Sequence, residues 1–348
     1  MAETAQTDFG VLFRSAAAKE PRFALAAGYA RGDDAPTLLA SGRLHIGSAR
    51  DVHTDAPWHI GSITKSFTAS LILMLVERGR LELDTPIGAY LADSEPDMHA
   101  DWRSRTLRQL LSHTAGLPSN ATLLQMLKSE TDDPSHDRLA ILRPLWNKRA
   151  PAATGRFAYS NIGYALAGHI AEQVTGKRWE TLIRSEIAEP LGLASLDFGP
   201  PRGGDAPWGH RSVLGFKRPV DPNGRKRADN PAWMGPAGRL HLTLGDLIIW
   251  GQAHLQARRG EAPKGFLGAA SCRTMQTEVA ESYGLGWVVQ LREGSDQPLI
   301  WHNGSNTMWY AILVLAPGPD VALAVAVNAN QPARIDALAR QMMTALIG

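Results

Sequence analysis

The chain has 348 residues, enough for one large domain or two intergrown ones, and 44% hydrophobic with 20% charged residues is a globular balance that argues against a disordered chain. Thirty-six basic and 34 acidic residues leave a formal net charge of +2, so no nucleic-acid footprint and no nucleic-acid partner are expected. One cysteine, Cys272, excludes an internal disulfide, and no apolar run approaches the ~18 residues a membrane span needs.

In chain order, Met1-Ala-Glu-Thr-Ala-Gln lacks the charged-then-apolar pattern of a signal peptide. The expectation is a soluble protein, either cytoplasmic or exported with its signal removed. Strand-like runs follow at Phe23-Ala-Leu-Ala-Ala-Gly-Tyr, Thr37-Leu-Leu-Ala and Leu44-His-Ile-Gly. From Ser66 to Arg80, apolar residues at helical spacing (Phe67, Leu71, Met74, Leu75) predict a helix closed at Gly79. A helix-and-loop region runs to about residue 195, and residues 199–236, rich in Pro, Gly and charge, read as a long loop over a cleft. Within it lies a basic cluster of Lys217, Arg218, Arg225, Lys226 and Arg227, read as a solvated edge or a guide for anionic substrates. A helix is expected over Leu244 to Ala257. Strands are expected at Tyr283–Leu291, Leu299–His302, Trp309–Leu315 and Val321–Val327, the last two joined as a hairpin across Pro317-Gly-Pro-Asp, and a helix over Ala333–Ile347 ends the chain. Strands at both ends with helices between them place the termini in one sheet. The expected division is a discontinuous sheet unit of residues 1–60 and 236–348, with residues 61–235 as a helical unit. Ten Trp read mainly as core.

Three stretches could carry chemistry. In Gly61-Ser62-Ile63-Thr64-Lys65 a serine and a lysine three residues on share one helical face. The amine can take the serine's proton only if its surroundings lower its pKa, and a helix N-terminus beside it favours that and an oxyanion. Alone, the pair reads as a capping serine and a solvated lysine. In Tyr159-Ser160-Asn161 a phenol able to move protons and an amide able to hold a carbonyl lie two residues apart; the plainer reading is a helix cap at Ser160 or Asn161. In Trp301-His302-Asn303-Gly304-Ser305 a late strand offers the N–H of Ser305 to complete an oxyanion hole with that of Ser62. His302 could add a hydrogen bond or a positive charge there. His113 reads as a loop-fixing hydrogen-bonder. Gly-x-Ser-x-Gly, Walker A and His-Glu-x-x-His patterns are absent, so no cofactor and no metal are expected.

Taken in order, Ser-x-x-Lys, Tyr-x-Asn and a basic residue-x-Gly resemble the serine β-lactamase and penicillin-binding superfamily. Leu110-Leu-Ser-His-Thr-Ala-Gly-Leu, Phe157-Ala-Tyr-Ser-Asn-Ile-Gly-Tyr-Ala-Leu-Ala-Gly, Val174-Thr-Gly with Pro190-Leu-Gly-Leu, and Gly235-Pro-Ala-Gly-Arg-Leu extend the resemblance over residues 20–345, closest to the class C β-lactamase, DD-peptidase and family VIII esterase branch. It implies an α+β, β-lactamase/transpeptidase-like fold: an antiparallel sheet flanked by helices, with an all-helical second region. It also implies Ser62 acylated, Lys65 accepting its proton, Tyr159 as partner base and shuttle, Asn161 positioning lysine and substrate, and Ser62 and Ser305 N–H groups as the oxyanion hole. Asn303 and Gly304 would contact substrate. His302 stands where many relatives carry lysine, which tilts the expected substrate from β-lactams towards small esters or D-amino-acid peptides. The alternative is a non-hydrolytic relative that binds penicillin or senses peptides.

Overall fold

The structure is a computed structural model that describes residues 2–122, 133–224, 228–292 and 297–348. Its centre is a six-stranded antiparallel sheet built from both ends of the chain, in the order Thr37–Ser41, Leu25–Arg31, Val321–Val327, Tyr310–Ala316, Leu299–Ser305, Val288–Gln290. The strands are β1 (Leu25–Arg31), β2 (Thr37–Ser41), β8 (Val288–Gln290), β9 (Leu299–Ser305), β10 (Tyr310–Ala316) and β11 (Val321–Val327). Alternation in β11 explains how the sheet is buried on both faces. Val321, Leu323, Val325 and Val327 enter one core with Phe9, Phe13, Ile335 and Met342, while Ala322, Ala324 and Ala326 face the other core, with Ile248 and Leu255. The small face lets a helix, Leu244–Arg259, lie close against the strands.

The opposite face is covered by Pro332–Ile347, as expected, and by Ala2–Lys19, which the sequence reading left without a helix. Its signal was present in Phe9, Phe13 and Ala16, an i, i+4, i+7 stripe that is buried. Leu44-His-Ile-Gly is not a strand. It turns away after the sheet edge, with the Leu44 N–H donating to the Arg50 carbonyl, and the Leu44 carbonyl accepts from Asn328. Tyr283 to Leu291 is extended only at Val288–Gln290, because Glu281 and Ser282 reverse the chain ahead of it with φ of 47° and 61°. The Ala316-to-Val321 hairpin forms as read.

A three-stranded sheet, β3 (Pro57–His59), β7 (Leu240–Thr243) and β4 (Asp197–Phe198), in the order β3-β7-β4, lies ahead of the central helix. That helix, Thr64–Glu77, is buried from Thr64 to Leu75, so apolar spacing marks only part of its core contact. Its polar side chains are satisfied in place: Ser66 donates to the Ile63 carbonyl, Thr68 to that of Pro236 and Ser70 to that of Ser66. Eight tryptophans are fully buried; Trp208 and Trp301 are half-buried. The 199–236 segment contains a two-stranded hairpin, β5 (His210–Val213) with β6 (Phe216–Pro219), which carries Lys217 and Arg218. Arg225, Lys226 and Arg227 lie outside the described residues. No helix among the described residues is long and apolar enough to cross a membrane.

Candidate active site

Ser62 sits in a single 3-10 turn, Gly61–Ile63, that feeds the buried helix at Thr64. Strand β9 runs against this turn. A methyl group on Gly304 would lie 2.0 Å from the Ile60 carbonyl oxygen and 2.3 Å from the Ser62 nitrogen, and one on Gly61, whose φ is +50°, would lie 2.2 Å from the Ser305 nitrogen. Two glycines therefore permit the close approach of β9 to the turn that carries Ser62.

One turn on, Lys65 is fully buried. Its Nζ lies 3.1 Å from Ser62 Oγ, 2.8 Å from Asn161 Oδ1 and 2.7 Å from the carbonyl oxygen of Ala237. Burial holds its pKa well below the ordinary lysine value. The Tyr159 ring lies 4.8 Å from the amine and that of Tyr164 5.5 Å. Burial of its hydroxyl raises the Tyr159 pKa, an effect partly opposed by the Ser62 hydroxyl beside it, although the residue as a whole is 37% exposed to the cleft.

The cap reading of Tyr159-Ser160-Asn161 holds at Ser160, and the residues on either side of it lie beside Lys65. Ser160 caps the helix Asn161–Thr175, accepting from the Gly163 N–H at 3.0 Å while donating to the Pro118 carbonyl at 2.6 Å. The cap fixes its neighbours on either side. Asn161 turns its oxygen to Lys65 and its nitrogen to Asn120 Oδ1 at 2.7 Å. His113, at φ 60°, accepts the Ser160 N–H on Nδ1 at 3.0 Å and packs 4.2 Å from the Tyr159 ring. It is the loop-fixing group the sequence suggested.

On β9, Ile300, His302 and Gly304 are buried, and Trp301, Asn303 and Ser305 are half-buried. His302 Nδ1 lies 2.5 Å from the Asn303 carbonyl, so it donates there, which leaves Nε2 to accept from the Tyr283 hydroxyl at 3.0 Å. Burial, with the Lys65 charge nearby, pushes its pKa down to about 3. The imidazole is thus neutral, and the fixed positive charge that lysine would supply is missing at this position. Asn303 borders the cleft but engages Tyr310, whose hydroxyl donates to Asp336. Ser305 donates its hydroxyl to the Trp309 carbonyl at 2.7 Å, so its contribution towards Ser62 is its backbone.

A cavity of about 280 Å³ opens beside Ser62, walled by Phe157, Tyr159, Tyr283, Val288, Trp301 and Tyr310. On the other side of Ser62 a second, about 300 Å³, is lined by the amides Asn120, Asn161, Asn230 and Asn306 with Pro231 and Met234. The end of the 199–236 segment thus forms part of the cleft wall. Sequence reasoning did not single out Tyr283, Tyr164, Asn120 or the Ala237 carbonyl. None carries a spacing signal relative to Ser62, and each arrives through the fold. Cys272 is buried, and burial pushes its thiol up to about 12, far from nucleophilic.

The chain is similar to several known proteins. The chain is 31% identical over 316 residues to penicillin-binding protein 4 of Amycolatopsis lactamdurans, covering 83% of this chain and 77% of that one. It is 25% identical over 297 residues to an unguisins hydrolase of Aspergillus campestris, covering 80% of this chain but only 53% of that protein. Among solved structures, SurE superposes with a TM-score of 0.79 at 26% identity over 99% of this chain and 77% of that one. The octameric penicillin-binding protein homologue of Pyrococcus abyssi shares the fold, with a TM-score of 0.78 at 23% identity over 98% of this chain and 76% of that one. The description of the family matched over residues 13–345 is Beta-lactamase, and the chain belongs to that family.

Proposed function

We propose that the protein is an acyl-transfer hydrolase that opens ester or amide bonds through an acyl-enzyme on Ser62. The observation that carries this reading is the Lys65 amine, 3.1 Å from Ser62 Oγ in a fully buried setting. As a neutral amine Lys65 has two N–H donors and one lone pair. Two carbonyl oxygens, of Asn161 and Ala237, take the donors, which leaves the lone pair for the serine proton. Attack on a carbonyl then places negative charge on its oxygen, where the Ser62 and Ser305 N–H groups receive it. Tyr159, held as a neutral phenol, is suited to pass a proton on to the leaving group, and water frees Ser62 in the second half-reaction.

The neutral His302 favours substrates without a carboxylate at that point, so neutral esters and D-amino-acid amides rank ahead of β-lactams. Intact mass after a fluorophosphonate probe tests the reading: the wild type gains one adduct and Ser62→Ala gains none. Turnover of p-nitrophenyl butyrate, a D-Ala-D-Ala peptide and nitrocefin then ranks the substrates. A wild type that takes no label is not this enzyme but a binding or sensing relative.

A further inference from the structure

Behind the reactive serine lies a second buried cluster that the hydrolytic reading leaves without a role. His59, at the end of β3, is fully buried, and its Nδ1 accepts the Gly61 N–H at 3.1 Å, which places the imidazole proton on Nε2. That nitrogen is 2.7 Å from Asp229 Oδ1, a close contact in which the N–H is not aligned on the oxygen as a hydrogen bond. The Asp229 side chain is only 4% exposed, and its Oδ1 also receives the Asn306 side-chain amide at 2.9 Å and the Asn230 N–H at 2.7 Å, while Arg239 faces Oδ2 at 3.3 Å. Burial alone would raise the carboxyl's pKa; His59, Arg239 and Asn306 together hold it below the usual range, so it is ionised.

The network reaches three walls of the cleft. Through His59 it grips Gly61, whose next peptide carries the Ser62 N–H. Through Asn306, whose oxygen accepts the Met308 and Trp309 N–H groups at 3.2 Å each, it shapes the turn that leaves Ser305. Through Asn230, which donates to the Gly238 carbonyl at 2.9 Å, it steadies the segment whose Ala237 carbonyl holds Lys65.

We propose that Asp229 and His59 form a positioning pair that aligns the two backbone donors of the oxyanion hole; this rests on Ser62 being the acylated residue. Two N–H groups from distant segments must converge within hydrogen-bond distance of one oxygen, and misplacing either costs most of its effect. A single buried carboxylate that fixes both segments supplies the common reference. A contact kept only for stability would have no such effect on the two donors.

The experiment measures fluorophosphonate labelling, as kinact and KI, and affinity for phenylboronic acid, whose tetrahedral adduct fills the oxyanion hole. Labelling of wild type but not of Ser62→Ala first establishes the underlying reading, so its failure is seen separately. Asp229→Asn keeps the shape and removes the charge. His59→Gln keeps a donor towards Asp229 and loses the acceptor for Gly61, whereas His59→Asn keeps that acceptor. Asn306→Ala cuts the link to the Ser305 turn and serves should Asp229→Asn not fold. Asp229→Asn, His59→Gln and Asn306→Ala are expected to lower kinact about 10²-fold with KI within about twofold, and to weaken boronate binding in proportion, with His59→Asn retaining more than His59→Gln. Folded variants that label within threefold of wild type overturn the proposal. So does a loss of kinact with boronate affinity unchanged, which would mark a purely structural pair.

Discussion

At the scale of single residues the decisive quantity is the protonation of Lys65. An amine held below its ordinary pKa acts as a base only after losing its proton, so the acylation rate rises with pH through that lowered value and levels off well below pH 10.5. A labelling rate that climbs only near pH 10.5 would mean an ordinary exposed ammonium. Lys65→Ala is expected to slow labelling by about 10³-fold with the melting temperature little changed, since a general base contributes roughly 10²–10⁴. His302 sets a second expectation. Replacing this neutral ring with a permanent cation, His302→Lys, should raise the ratio of nitrocefin to p-nitrophenyl butyrate turnover by about tenfold or more, because a carboxylate then has a charged partner. An unchanged ratio in a folded variant would detach substrate charge from this position.

At the scale of elements the site depends on how closely β9 approaches the turn at Ser62. No side chain fits between them: even a methyl group on Gly304 would overlap the Ile60 carbonyl and the Ser62 nitrogen. Gly304→Ala must therefore push strand and turn apart, costing about 1–3 kcal/mol in stability and, more tellingly, separating the two N–H donors. The expected result is at least a 100-fold slower labelling in a protein that still melts cooperatively. Retained labelling would show that the donors do not act together. The helix Asn161–Thr175 shows the complementary case, where a capping serine and two chemically useful neighbours occupy consecutive positions, so one local structure serves both packing and site.

At the scale of the whole molecule, the helical layer is tied together by charge as well as by apolar burial. Arg138 is fully buried between Glu172 and Glu180, and Glu172 also accepts the Trp179 N–H at 2.9 Å and the Ser135 hydroxyl at 2.6 Å. Removing the cation alone, as in Arg138→Met, leaves buried carboxylates unpaired and is expected to cost about 3–5 kcal/mol, read as a fall of several degrees in Tm. Burial by itself would raise the Glu172 pKa, but nearby His169 and the charge and hydrogen bonds of Arg138 outweigh it and bring it down to about 2. A depressed carboxyl stabilises the folded state above its unfolded pKa, near 4.5, and that contribution fades as pH falls from there towards 2. Thermal melts between pH 5 and 2.5 should show this loss, and Glu172→Gln should flatten it; an equally steep acid limb in that variant would assign the loss to other groups.

The sequence by itself determined what depends on local order. Helix and strand periodicity placed the terminal hairpin and the Leu244 and Pro332 helices to within a few residues. The ordered Ser-x-x-Lys, Tyr-x-Asn and His-x-Gly stretches named the side chains that gather at Lys65, because spacing along one helix turn or one strand is fixed by the backbone. The stripe Phe9, Phe13, Ala16 that marks the first helix is equally local, three apolar positions on one helical face. Only the tertiary structure decided the rest. Leu44–Gly47, extended by composition, turns because the chain leaves the sheet edge there. The neutrality of His302 comes from burial between Tyr283 and its own strand. Asp229 meets His59 across 170 residues, a pairing no local pattern encodes, since it is set by how far apart segments are packed and not by what stands beside them in the chain.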